Sequence, residues 1–147
     1  MEPAAAALAV GVLIAASIVI GLVARARSGR KHTRPRADVT AADLGIPTLG
    51  GVATIVQFST EYCARCPAVR RALTAIAAAE GAGVVLAEVD LTHRPDLATR
   101  FRILTTPTVF VIDAHGAIAA SFSGAVTGES VRTEITTLRS NLDVVVT

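Results

Sequence analysis

The sequence predicts an α/β domain, built on a central mixed β-sheet flanked by helices and preceded by one N-terminal transmembrane helix. Three observations lead to this prediction. Residues 4–24 contain no charged side chain, residues 25–37 are strongly basic, and residues 38–147 alternate between strand and helix patterns. A chain of 147 residues has room for one compact domain beside such a segment.

The uncharged N-terminal run predicts a membrane anchor over residues 1–24. As a helix rising about 1.5 Å per residue, residues 4–24 would cross a hydrocarbon core about 30 Å thick. A cleaved signal peptide is the alternative, but its positive charges would precede the apolar run, whereas here they follow it. By the positive-inside rule, this order predicts a single-pass membrane protein with the N-terminus outside and the domain in the cytoplasm.

Residues 25–37 are predicted to form a basic tether between the anchor and the domain. They hold six of the fourteen Lys and Arg residues, whereas residues 38–147 carry eight Arg against eleven Asp and Glu. The net charge of +2 therefore comes from the tether and not from the domain, which argues against nucleic-acid binding. Six cations beside an apolar span are typical of a topology signal or of contact with lipid headgroups.

The pattern of residues 38–147 predicts four strands and four helices. Apolar, β-branched runs bounded by turn residues indicate the strands, and apolar residues at helical spacing indicate the helices. In order, they are a short helix 40–44, strand 52–58, a helix opening at Pro67 and closing at Glu80, strand 84–89, helix 95–101, strands 108–112 and 118–122, and a last helix capped by Thr127. This order implies a parallel β-α-β start, an antiparallel hairpin finish and helices on both faces.

The only two cysteines of the sequence, Cys63 and Cys66, lie at the junction of a predicted strand and a predicted helix. Three interpretations compete. A zinc site needs further ligands, but the three His residues are scattered, so two chains would have to share it. A structural disulfide that closes so short a loop restricts the unfolded chain little. A redox-active dithiol is favoured, because unpaired N–H groups and the helix dipole stabilise a thiolate at a helix N-terminus.

In the redox interpretation the two cysteines have different tasks. Cys63, the more exposed of the pair, would attack a substrate disulfide and form a mixed disulfide. Cys66, one turn further along the helix, would attack that bond and release the reduced substrate. Both steps can also run in reverse.

The surrounding sequence resembles the thioredoxin family over roughly residues 51–138. The matching segments are 58–66 around the cysteines, 89–90 and 95–98 at the second strand and the helix after it, 105–108 before the third strand, and 122–125 after the fourth. Pro107 follows Cys66 by 41 residues, as in that family. The cysteine pair together with a Thr-Thr-Pro-Thr segment at this spacing is a much more specific signal than the pair alone.

The resemblance implies a thioredoxin-like fold and a thiol–disulfide oxidoreductase that acts on protein disulfides near the membrane. It also implies that Pro107 follows a cis peptide bond and lies against Cys63, and that the backbone of Thr106 pairs with the substrate. Tyr62, the third predicted substrate contact, stands where the family usually has Trp. The redox group would be the Cys63–Cys66 disulfide itself, so no cofactor or metal is expected. The expected partners are a protein disulfide substrate and an electron donor, such as a thioredoxin reductase or a small thiol.

Three further positions depart from the family pattern. Arg65, between the cysteines, adds a cation that should lower the pKa of Cys63 and make the disulfide more oxidising. Gln57 stands where the family often has a buried Asp that accepts the Cys66 proton, which an amide cannot do. Glu88 lies in an apolar strand, where an unpaired buried carboxylate would have a raised pKa. The hypothesis is that Glu88 has taken over proton transfer, with Gln57 as its hydrogen-bond partner.

The sequence leaves alternatives to these assignments. Arg65 would otherwise be simply solvated, and Glu88 would reach water at the end of its strand. If the domain faces the cell envelope, the protein would be a disulfide oxidase, an isomerase or a cytochrome-maturation reductase. A non-catalytic adaptor would use the segment at Thr106 and Pro107 only to hold a client, and a metal carrier would share the two cysteines across a dimer.

Overall fold

The computed structural model of the chain describes residues 3–27 and 38–145. Its helices and strands are α1 Pro3–Arg27, α2 Ala41–Leu44, β1 Ala53–Ser59, α3 Cys66–Glu80, β2 Val84–Asp90, α4 Pro95–Arg100, β3 Thr108–Asp113, β4 Ile118–Ser123 and α5 Gly128–Val145. Each of the eight elements predicted after residue 38 is present. The ends that the sequence predicts differ from the observed ends by no more than one residue.

The four strands form one mixed sheet in the order β2-β1-β3-β4. β1 runs parallel to β2 and antiparallel to β3, and β3 runs antiparallel to β4. The predicted parallel β-α-β start and antiparallel hairpin finish are therefore confirmed. Every residue of β1 is buried, because this strand has a neighbouring strand on each side and a layer of helices on each face.

Two apolar layers pack on opposite faces of the sheet. One layer joins β1 and β3 to helices α3 and α5, through side chains that include Ile55, Leu73 and Ile135. The other layer joins the same strands to α2 and α4, through side chains that include Leu44 and Leu97. Alternate residues along a strand point to opposite faces, so both layers draw on the same strands. Helices cover both faces of the sheet, as predicted.

Helix α1 has 25 residues, and its described side chains, at residues 8–23, are all exposed. Over the described part of the chain, no helix combines the length and the apolar character needed to cross a membrane. The transmembrane helix predicted over residues 4–24 is therefore not confirmed. Most of the predicted basic tether, residues 28–37, lies outside the described residues.

After residue 38 the chain is first tied to the turn between β3 and β4. The Val39 N–H donates to the Gly116 carbonyl over 2.8 Å, and Asp38 forms a β-bridge with Ala117. Gly116 has a φ of 93°, and a Cβ on it would lie 2.5 Å from the Val39 carbonyl oxygen. Only glycine can therefore make this turn and also approach the opening segment so closely.

Asp43 holds the first described residues of the domain, 38–44, against α4. Its carboxylate accepts hydrogen bonds from the Thr40 N–H, the Thr40 hydroxyl and the Arg100 guanidinium, at 2.9, 2.8 and 2.7 Å. Burial acts to raise the pKa of Asp43, but the hydrogen bonds from Thr40 and Arg100 and the Arg100 charge outweigh it. The pKa of Asp43 is therefore lowered from its ordinary value of 3.8.

Replacing Asp43 by Asn should lower the free energy of unfolding by about 1 kcal/mol at neutral pH, because the ion pair and part of the helix cap are lost. The folded state has the lower pKa, so the stabilisation is complete well above pH 3.8 and is lost as the pH falls through the folded-state pKa. Urea unfolding of both proteins at a series of pH values should show stabilities that converge in acid. A difference that stays constant down to the lowest pH would contradict this account.

Candidate active site

The two cysteines form a disulfide at the N-terminus of α3. Their Sγ atoms are 2.03 Å apart and their Cα atoms 5.4 Å apart. Cys66 is the first residue of α3 and is only 5% exposed, whereas Cys63 lies in the preceding loop and is partly exposed. The predicted placement at a strand-to-helix junction is confirmed, and Cys63 is the more accessible sulfur.

The loop between β1 and α3 is held by backbone hydrogen bonds between residues close in sequence. The Cys63 N–H donates to the Thr60 carbonyl over 3.1 Å, and the Cys66 N–H donates to the Cys63 carbonyl over 3.2 Å. The loop after β2 adds a contact, since the Glu61 N–H donates to the Thr92 hydroxyl over 3.2 Å. The cysteines therefore lie on a turn that is supported both from within and from the neighbouring loop.

Asp90, the last residue of β2, fixes the position of Thr92. The Thr92 N–H donates to Asp90 Oδ1 over 2.8 Å. Hydrogen bonds from the Thr92 side chain and backbone lower the pKa of Asp90 from its ordinary value of 3.8, so this carboxylate is ionised at neutral pH. Asp90, at the end of the edge strand β2, therefore supports the active-site loop through Thr92.

The peptide bond between Thr106 and Pro107 is cis, as predicted. The hydroxyl oxygens of Thr106 and Thr60 are 3.3 Å apart, within hydrogen-bond distance, which ties the segment before β3 to the loop before Cys63. The Pro107 carbonyl accepts the Gly124 N–H over 2.9 Å and so fastens the segment to the end of β4. The structure thereby brings the predicted substrate-binding segment to the cysteine loop.

Two large apolar side chains project into solvent beside these loops. Tyr62 is 87% exposed and Leu104 is 91% exposed, and the described part of the domain, residues 38–142, has no other exposed large apolar side chain. Each lies two residues from one end of the contact between Thr60 and Thr106. Tyr62 is a predicted substrate contact. Leu104 is not, because the short apolar pair Ile103 and Leu104 in a loop gives no periodic signal.

Gln57 lies beneath the active-site helix. Its side chain is 1% exposed, and Nε2 donates to the Cys66 carbonyl over 3.0 Å. Its Oε1 is also buried and has no hydrogen-bond partner among the described residues. The predicted hydrogen bond between Gln57 and Glu88 is wrong, because the amide binds the first residue of α3 instead.

Glu88 does not have the buried, unpaired position that the proton-transfer hypothesis requires. Its side chain is 36% exposed and its Oε2 lies 3.1 Å from Arg70 Nη1, while Oε1 accepts the Ser59 hydroxyl over 3.2 Å. Glu88 and Gln57 are in register on neighbouring strands, so both face α3. β2 is an edge strand with a neighbour on one side only, so Glu88 remains open to solvent, whereas Gln57 on the central strand β1 is covered. The expectation of a buried carboxylate is therefore wrong, and the hypothesis loses its basis.

Arg65 is the N-cap residue of α3 and makes no side-chain capping hydrogen bond. Its side chain is exposed. The cation therefore stands at the helix end where the backbone N–H groups already favour a negative charge. A role for Arg65 in tuning the thiolate stays a prediction.

A metal site at the cysteines would need further ligands nearby. Within the described ranges, no group of three or more His, Cys, Asp or Glu side chains is arranged to hold a metal ion. The two described histidines, His93 and His115, are exposed in the loop after β2 and in the turn between β3 and β4.

Comparisons with known proteins agree with this architecture. Residues 51–137, more than half of the chain, match the family model described as Thioredoxin. A crystal structure of chloroplastic thioredoxin z is 19% identical, with a TM-score of 0.58 over 74% of this chain and 99% of that one. A structure described as a malarial protein is also 19% identical, with a TM-score of 0.53 over 58% of this chain and 96% of that one.

At these identities the two structures support the fold alone, and no curated protein matches the sequence. The family model is the stronger result, because it spans both cysteines and the segment with the cis peptide bond. The chain belongs to the thioredoxin family.

Proposed function

We propose that the protein is a thiol–disulfide oxidoreductase that reduces or exchanges disulfides in protein substrates. The observation that carries the proposal is the disulfide at the N-terminus of α3, in which Cys63 is partly exposed and Cys66 is buried. This asymmetry suits a pair in which one sulfur meets the substrate and the other resolves the intermediate. The cysteine pair is itself the redox group, so the proposed reaction uses no separate cofactor.

In the reducing direction, a donor first converts the disulfide to a dithiol. A thioredoxin reductase or a small thiol would supply the two electrons, and the two cysteines take up two protons. The Cys63 thiolate then attacks one sulfur of the substrate disulfide, forms a mixed disulfide and releases the other substrate sulfur as a thiol. Cys66 next attacks the Cys63 sulfur, which restores the disulfide of the protein and releases the fully reduced substrate. The N-terminus of α3 stabilises Cys63 as the attacking thiolate, and the leaving group in each of these two steps is a substrate sulfur.

The surface around Cys63 favours a polypeptide as the substrate. Tyr62 and Leu104 offer apolar area beside the disulfide, which a protein chain would cover and a small polar thiol would not. The partly exposed Thr106 borders the same surface, where its backbone would pair with an extended segment of the substrate. Arrival of a substrate cysteine between these loops would place its sulfur at Cys63.

Insulin reduction by dithiothreitol tests this proposal. A catalytic amount of the protein should increase the rate at which the insulin B chain precipitates over the rate with dithiothreitol alone. The second candidate function is a non-catalytic adaptor, which the exposed pair Tyr62 and Leu104 would equally serve. An adaptor would bind client proteins but leave the precipitation rate at that of dithiothreitol alone.

Replacing Arg65 by Ala should make the disulfide less oxidising. The cation favours the thiolate and therefore the reduced state, and an exposed charge of this kind is worth about 0.2–1 kcal/mol, or up to about fivefold in the redox equilibrium. Equilibration with glutathione buffers at low salt measures the shift, which high salt should diminish. Arg71→Ala, an exposed arginine further along α3, is the matched control. An unchanged equilibrium constant for Arg65→Ala would identify Arg65 as a solvated side chain without a tuning role.

We also propose that residues 4–24 attach the domain to a membrane, with the domain in the cytoplasm. The support is the absence of charge in this run, the basic residues that follow it, and the exposure of apolar side chains such as Leu8 and Leu13 on α1. Reporter fusions at both ends of the chain test the attachment and its orientation. A domain found on the envelope side would favour the disulfide oxidase, the isomerase or the cytochrome-maturation reductase.

A further inference from the structure

Gln57 is a buried polar side chain that is hydrogen-bonded to the backbone of Cys66, and in the disulfide state only half of its amide is used. Nε2 donates to the Cys66 carbonyl over 3.0 Å. This contact fixes the orientation of the amide, since a carbonyl oxygen accepts a hydrogen bond and cannot donate one. Oε1 is left without a partner among the described residues, at a side chain that is only 1% exposed.

The unpartnered oxygen belongs to the amide that contacts the Cys66 carbonyl group. Oε1 and Nε2 are bonded to the same carbon, so Oε1 can be no more than about 5.6 Å from the Cys66 carbonyl oxygen. The donors of β1 itself are already used. The β1 backbone is paired with strands on both sides, and the Ser59 hydroxyl donates to Glu88.

The disulfide state offers Oε1 no hydrogen at Cys66, because neither sulfur of a disulfide carries a proton. Reduction changes this. When two glutathione molecules are oxidised to glutathione disulfide, their two electrons break the Cys63–Cys66 bond. Their two protons are taken up by Cys63 and Cys66, which both become thiols. The Cys66 thiol is then a new donor, buried on the same helix turn that the Gln57 amide already contacts.

We propose that Gln57 is a redox-dependent hydrogen-bond acceptor, whose Oε1 is unpaired in the disulfide state and accepts the Cys66 S–H in the dithiol state. This inference rests on the proposed function, since it assumes that the pair cycles between both states. Gln57 is a positioning residue in this account and transfers no proton.

The direction of the effect follows from the two states. A buried acceptor without a partner destabilises the protein that holds it, whereas a satisfied acceptor does not. The unpaired Oε1 therefore destabilises the oxidised protein, and reduction removes this destabilisation. Gln57 thus shifts the redox equilibrium toward the dithiol. In the family pattern an ionisable carboxylate occupies this position, whereas here a neutral amide would favour the reduced state at every pH at which Cys66 is a thiol.

The redox equilibrium with glutathione tests the inference without any client protein. In Gln57→Met, which keeps the length of the side chain but removes both polar atoms, the equilibrium constant for reduction should fall by at least about fivefold. This corresponds to a reduction potential lower by about 20 mV, at 29.6 mV per tenfold for two electrons. Glu88→Gln is the control, because Glu88 is in register with Gln57 on the same face but is 36% exposed. Its equilibrium constant should equal that of the natural protein.

Urea unfolding of the oxidised and reduced forms provides an independent measure. Met at position 57 should destabilise the dithiol form more than the disulfide form, and the difference should match the change in the redox equilibrium. Equal destabilisation of both forms would mean that Gln57 has a structural role only, and would overturn the inference. An equilibrium constant that is unchanged, or that rises, would overturn it as well.

A spectroscopic measurement needs no change at Gln57. In Cys63→Ser, Cys66 is the only thiol of the chain, and its infrared S–H stretching band should lie at a lower frequency than that of an alkanethiol in an apolar solvent. A band at the frequency of the free thiol would refute the hydrogen bond. All three measurements concern the protein's own cysteines, so they remain decisive even if insulin is not reduced and the proposed function fails.

Discussion

Replacing Cys63 by Ser should reduce insulin reduction to the rate of dithiothreitol alone, whereas Cys66→Ser, reduced beforehand and mixed with insulin without dithiothreitol, should stop the reaction at a covalent complex. A serine hydroxyl cannot replace a thiolate as nucleophile, so the first variant never bonds to the substrate. The second variant retains the accessible sulfur but has no group to attack the mixed disulfide. Precipitation of insulin measures the loss of turnover, and a non-reducing gel detects the trapped complex.

The two variants are each other's control, because they remove the same atom type from neighbouring positions. A complex should form with Cys66→Ser and should dissociate when dithiothreitol reduces its disulfide bond. No complex should form with Cys63→Ser. This asymmetry follows from the burial of Cys66, which is 5% exposed, beside the partly exposed Cys63. If Cys63→Ser instead trapped the substrate, the roles of the nucleophile and the resolving cysteine would have to be exchanged.

Replacing Phe58 by Ala should produce the largest loss of stability among single changes in the core. Phe58 is fully buried, with its ring centroid 4.8 Å from that of Phe110 and 6.1 Å from that of Phe101. Removing such a ring costs about 3–5 kcal/mol, a large share of the 5–15 kcal/mol or so that stabilise a typical domain. The Tm should fall by roughly 10–20 °C, as measured by thermal unfolding of the oxidised protein.

Leu104→Ala is the matched control for this prediction. It also removes a large apolar side chain, but Leu104 is 91% exposed and its truncation should change the free energy of unfolding by less than about 0.5 kcal/mol. Phe58→Leu should fall between the two, because it retains most of the apolar volume and loses the aromatic contacts. Equal stabilities of Phe58→Ala and Leu104→Ala would contradict the packing described for the aromatic cluster.

The elements of the domain could be predicted from the sequence because their signals are local. The buried strand β1 is a mostly apolar run rich in β-branched residues, α3 repeats its apolar residues at helical spacing, and Gly116 marks the turn of the final hairpin. The cysteine pair and the segment before β3 could be predicted for the same reason, since the motif and its spacing are visible in the sequence.

The environment of the site could not be predicted to the same depth, because burial depends on the order of strands in the sheet. Gln57 and Glu88 both stand in apolar runs, yet the central strand buries one and the edge strand exposes the other. Leu104 gives no periodic signal, and its exposure becomes visible only when the loop beside the cysteines is in place. The position of the disulfide could therefore be predicted from the sequence, whereas the hydrogen-bond partners of Gln57 and Glu88 could not.

The contact between residues 38–39 and the β3–β4 turn distinguishes the two ends of the domain. Val39 is bonded to Gly116 at the end of the sheet where Ala53 pairs with Asp113, whereas the cysteine loop follows the other end, where Phe58 pairs with Thr108. The five residue steps from Ala53 to Phe58 span about 17 Å of strand. The chain therefore enters the domain at the end of the sheet remote from the disulfide. Under the attachment proposed for residues 4–24, the disulfide would lie at the end of the domain opposite to the one that is held, where a substrate could approach it.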